Sequence, residues 1–123
     1  MILKEFYNQV QGDYEGTISR LCKEDLVKRF VLKFTNDKSF EELLDTFEKK
    51  NYEDAFRAVH TLKGLAVNLG FTKLYEECSV LTESLRNVTS SDVDNKMADI
   101  KKMIEDIREE YNKTISLINE IDK

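Results

Sequence analysis

No proline occurs in the 123 residues and glycine occurs only four times, while apolar side chains return every three or four positions almost from end to end. Proline and glycine punctuate turns, and an apolar period near 3.6 lays one apolar stripe along a helix. Together these features exclude a chain of many short strands and predict an all-α fold of helices joined by short polar turns. A chain of this length is expected to build one hydrophobic core, so residues 1–123 read as a single domain.

Leu3, Phe6 and Val10 mark a short first helix. A joint from Gly12 to Gly16 leads to a second short piece holding Ile18 and Leu21, separate from the first or merged with it. Leu26, Val27, Phe30 and Phe34 mark a helix from about Lys23 to Thr35, closed by the turn-prone pair Asn36-Asp37. Ser39 with Glu42 three residues on has the pattern of a capping box opening a helix of Phe40, Leu43, Leu44 and Phe47, with Asn51 as its stop. After Tyr52 the residues Ala55, Val59, Leu62, Ala66 and Leu69 follow one another at spacings of four, three, four and three, up to Gly70. Leu74, Cys78, Leu81 and Leu85 repeat the rhythm, so the two segments are expected to pair as an antiparallel hairpin turning at Gly70-Phe71.

The last segment, from Ser91 or Asp92, keeps Val93, Met97, Ile100, Ile104, Ile107, Tyr111, Ile118 and Ile121 in a repeat broken only at Thr114. As one helix of roughly 31 residues it would span about 46 Å, more than a compact bundle needs. Two outcomes stay open: a curved helix covering the bundle in a monomer, or an overhang that pairs with a second copy in a weak dimer.

A net charge of −5 argues against a nucleic-acid partner, because phosphate backbones are held by clustered Lys and Arg. Met1 to Val10 contains Lys4 and Glu5 and no long apolar run, so neither a signal peptide nor a membrane span is expected, and the simple expectation is a cytoplasmic protein. Cys22 and Cys78 read as small apolar core fillers, too few for a disulfide framework. Nothing resembles a P-loop, a Gly-rich nucleotide-binding turn or a nucleophile elbow, so the chain is not read as a kinase or any independent enzyme. A di-iron bundle needs two Glu-x-x-His pairs, whereas the single histidine here has Arg57 three residues before it. Neither a metal nor a resident cofactor is predicted.

That histidine, His60, lies about 140° from the centre of the apolar stripe on its helix when residues are placed about 100° apart. It is therefore not a core histidine of that face. Lys63 and Gly64 are its neighbours one turn on. Glycine inside a helix costs roughly 1 kcal/mol relative to alanine, and a surface site gives no packing reason to accept that cost. Close approach of another molecule does give a reason. An imidazole is a competent nucleophile near neutral pH, and phosphoryl transfer asks a protein mainly for positioning and charge stabilisation. Lys63 supplies a cation and Gly64 clears space. Phe56 and Val67, about 100° and 120° from the stripe, are apolar residues on the histidine side; docking a partner and packing on a helix edge account for them equally well. Across the hairpin, residues 79 to 82 are expected level with His60. Ser79 or Thr82 is thus a candidate to hydrogen-bond its second ring nitrogen, and Arg86 a candidate to add positive charge.

The stretch Ala58-Val59-His60-Thr61-Leu62-Lys63-Gly64, with Gly70 beyond it, resembles the H-x-L-K-G…G signature of histidine-containing phosphotransfer (HPt) domains of the single-domain bacterial type. Leu74, Cys78 and Leu81 extend the likeness, which covers roughly Leu21 to Asn87. The resemblance implies an up-and-down four-helix bundle with an extra N-terminal helix. It implies that the histidine exchanges a phosphoryl group with an aspartate of a response-regulator receiver domain in phosphorelay signalling, with a sensor histidine kinase upstream. Mg2+ and the catalytic aspartate then belong to the receiver. Leu65 departs from the family pattern, where a small residue is usual, and so does the length of the C-terminal helix. The rival reading is a non-catalytic adaptor that uses the same bundle purely as a binding face.

Overall fold

The computed structural model describes all 123 residues and contains eight helices: α1 (Leu3–Gln9), α2 (Tyr14–Leu21), α3 (Glu24–Phe34), α4 (Ser39–Glu48), α5 (Tyr52–Asn68), α6 (Thr72–Leu85), α7 (Ser90–Asn95) and α8 (Met97–Ile118). Helices α4, α5, α6 and α8 form an antiparallel up-and-down bundle. Glu42 and Thr61 line the same surface of the α4–α5 seam, Arg86 at the C-terminal end of α6 lies over Phe56 of α5, Lys73 of α6 pairs with Glu110 of α8 at 3.7 Å, and Phe40 of α4 stacks on Tyr111 of α8 at 4.6 Å. Each seam joins early residues of one helix to late residues of the next. Val59, Leu62, Leu74, Leu81, Ile100 and Ile107 point into the middle with almost no exposure. Full burial of such a side chain contributes roughly 1.5–3 kcal/mol, so the stripe read from the sequence is what closes the bundle.

Helices α1 to α3 cover the end of the bundle where α5 turns into α6. Tyr7 Oη donates to the Leu69 carbonyl at 2.6 Å, the Asp13 N–H donates to the Gly70 carbonyl at 2.8 Å, and Phe6 and Phe34 meet the Phe71 ring edge-on at 5.7 and 5.3 Å. Arg20 Nη2 donates to the Val67 and Asn68 carbonyls, capping the C-terminus of α5. The turn itself needs glycine: Gly70 has φ +74, in the left-handed region.

Several elements settle what the sequence left open or differ from its expectations. The first two pieces stay separate, because Gln11 takes φ 55 and the Asp13 carboxylate accepts the Gly16 N–H to start α2 afresh. Ser39 is the first helical residue of α4, with no capping box: its N–H donates to the Asp37 carboxylate at 2.9 Å. Asn51 starts α5 rather than merely stopping α4, its side chain accepting the Asp54 N–H at 3.2 Å.

The long C-terminal helix is two helices. Thr89 and Asp92 form a capping box that starts α7, and the chain breaks helical geometry at Lys96 (φ −114). The 22 residues of α8 span about 33 Å. Its stripe is used inside the chain: Ile104, Ile107, Ile118 and Ile121 are buried, and so is Thr114, whose Oγ1 donates to the Glu110 carbonyl at 2.8 Å. The Met1 amino group reaches the Glu120 carbonyl and the Asp122 carboxylate, both at 2.9 Å, fastening the two chain ends together. The overhang that would have presented this stripe to a second copy is therefore not formed.

No helix is long and apolar enough to cross a membrane.

Candidate functional site

Asn51 caps α5, and Glu53 and Asp54 in its first turn complement the positive end of the helix dipole. Within this helix Ala55, Ala58, Val59, Leu62 and Ala66 are buried, and that phase forces His60, midway along, out to solvent. Lys63 is half-buried one turn on and Gly64 is exposed beside it. A Cβ built on Gly64 meets nothing within 4 Å. The glycine is thus not required by any packing within the chain, and it leaves open space next to the imidazole.

Phe56, one turn before His60, is half-buried. Its ring lies 5.9 Å from the imidazole with the planes 38° apart, and the Arg86 guanidinium covers it at 5.0 Å. Phe56 therefore packs between His60 and Arg86, the helix-edge role, rather than offering a bare docking face. Val67 is different: it is 47% exposed, two turns beyond His60 on the same side of α5. Packing does not account for it.

The expected second-nitrogen partners behave otherwise than proposed from the sequence. Thr82 is fully buried, and its Oγ1 donates to the Cys78 carbonyl at 2.7 Å, within its own helix, so it does not orient His60. This is the back-bond that a threonine makes when it faces a core. Ser79 Oγ is buried without a partner. Arg86 does reach the histidine side, by way of Phe56, and it is held by Glu83: Nη2 and Nε donate to the two carboxylate oxygens at 3.1 and 3.2 Å. Those bonds from Arg86, with Lys63 adding its field, hold the Glu83 carboxyl below the usual carboxylate range. Glu83 was missed in the sequence reading; its spacing of three from Arg86 was the available signal. No cluster of three or more His, Cys, Asp or Glu side chains suited to a metal ion is present.

The arrangement is an antiparallel helical bundle that presents one imidazole from the middle of an open helix face, with a cation and a cleared space beside it. The family model of the Hpt domain matches residues 31–110, from within α3 through α4, α5 and α6 and into α8, and the chain belongs to the Hpt domain family. The match starts later than the likeness read from the motif and extends further, taking in most of α8. No curated protein and no solved structure matches the chain. Membership implies histidine phosphotransfer in phosphorelay signalling; Hpt domains as a family are phosphocarriers that interact with response-regulator receiver domains and histidine kinases.

Proposed function

We propose that this protein carries a phosphoryl group on His60 and exchanges it with an aspartate of a receiver domain. A ring nitrogen of His60 attacks the phosphorus of the receiver's aspartyl phosphate. The N–P bond forms as the P–O bond to the aspartate breaks, the carboxylate leaves, and the ring proton passes to solvent; the reverse returns the group. Mg2+ bound to the receiver would offset charge on the phosphoryl oxygens, and Lys63 would add a cation from this chain. The observation that carries this reading is the space at Gly64: an exposed nucleophile stands beside a helical glycine that no packing within the chain requires. A receiver's active site has to descend onto His60, and a side chain there would stand in its way.

The reading is tested by mixing the protein with phosphorylated receiver domains and Mg2+ and following loss of the receiver's phosphate. Loss accelerated by the protein supports the carrier. No acceleration across a panel of receivers would favour a bundle that only binds.

Lys63→Ala is expected to slow transfer by about tenfold, the worth of one charge-assisted contact, while Tm stays within about 2 °C. Equal transfer rates for variant and parent would remove Lys63 from the mechanism.

A further inference from the structure

Glu83 is an anion placed where a phosphocarrier should want none. Its carboxylate takes two hydrogen bonds from Arg86. The same guanidinium lies over Phe56, whose ring leans on His60. Lys63, one turn from His60, lies close enough to Glu83 to help hold its carboxyl ionised. Glu83 thus engages the guanidinium on the histidine side of the α5–α6 seam, with the Lys63 charge nearby. The Arg86–Glu83 pair is exposed, with side chains 46% and 64% open, so it is worth little to the fold. A pair of that kind re-forms easily with a better anion.

Resting on the carrier reading, we propose that Glu83 is a positioning residue that sets how readily His60 accepts a phosphoryl group. With His60 free, Glu83 keeps Arg86 occupied. An incoming phosphoryl group, which has more negative charge and three acceptor oxygens, competes with Glu83 for that guanidinium. The carboxylate then stands as an unpaired anion on the histidine side of the seam and favours departure of the phosphoryl group. Glu83 therefore slows loading from an anionic donor and keeps the loaded state easy to discharge.

Phosphoramidate, a small anionic donor, tests this without any partner protein. Its P–N bond breaks as the N–P bond to His60 forms, and the imidazole ring proton leaves with ammonia as ammonium. Loading is followed by 31P NMR on the parent, Glu83→Gln, Arg86→Gln and the double variant, at low and high salt. Glu83→Gln is expected to load about three- to fivefold faster than the parent, the range an exposed ion pair can contribute, and the gain should shrink in high salt. Arg86→Gln should load more slowly, and the gain from Glu83→Gln should be smaller in that background. Unchanged or slower loading of Glu83→Gln would overturn the role of Glu83, and so would a gain insensitive to salt. Absence of phosphohistidine on the parent itself would instead overturn the carrier reading on which the proposal rests.

Discussion

Replacing Gly64 with glutamine is expected to cut transfer between His60 and a receiver domain by about 100-fold or more, while Tm stays level or rises by a few degrees. The two halves of this result have separate causes. A Cβ at Gly64 meets nothing within 4 Å, so the added side chain disturbs no packing. Glutamine is also a better helix former than glycine, by somewhat less than 1 kcal/mol. The same side chain, however, fills the approach to His60 one turn away, and displacing a reacting group by about 1 Å can cost 10²-fold. Gly64→Ala separates bulk from backbone: it should gain the helix stability and lose much less transfer. Transfer by Gly64→Gln at the parental rate would mean that nothing needs to come close at that point.

Gly70→Ala should be the most damaging single-methyl change in the fold, at a cost of about 3 kcal/mol, which lowers Tm by roughly 10 °C or more. Gly70 sits at φ +74, where a Cβ is strained, and the new methyl would collide with Thr17 Oγ1 and come within 2.8 Å of the Asp13 carbonyl oxygen. Thr17 is fully buried and donates to that same carbonyl at 2.7 Å, so neither neighbour yields cheaply. The damage falls where the N-terminal helices dock on the α5–α6 turn. Thermal unfolding followed by circular dichroism gives the answer, and a Tm within about 3 °C of the parent would show that α2 can shift away from the turn at little cost.

The bundle and the outward phase of His60 were legible because both depend on helical period alone. Burial of Val59 and Leu62 on either side leaves the imidazole no other direction. The C-terminal break was not legible, for a related reason. Val93 and Ile100 are both buried across Lys96, so the apolar rhythm continues through a break that shows only in the backbone at Lys96. Thr114 misled in the opposite sense. It looks like a gap in the stripe, yet it is buried with its hydroxyl satisfied by the Glu110 carbonyl. Around the histidine, Lys63 and Gly64 were legible as neighbours on one helix, whereas the contact of Arg86 with Phe56 depends on how two helices meet. The hairpin register placed residues 79 to 82 level with His60 but did not say which way each would point, and Thr82 points inward.

The central claim is that the phosphoryl group sits on His60, and chemical mapping of the label tests it most directly. The parent and His60→Gln are incubated side by side with a phosphorylated receiver domain and Mg2+, and protein-bound phosphate is followed through acid and base treatment. The account predicts acid-labile, base-stable phosphate on the parent and none on His60→Gln, with both proteins equally helical. Equal labelling of His60→Gln would contradict it.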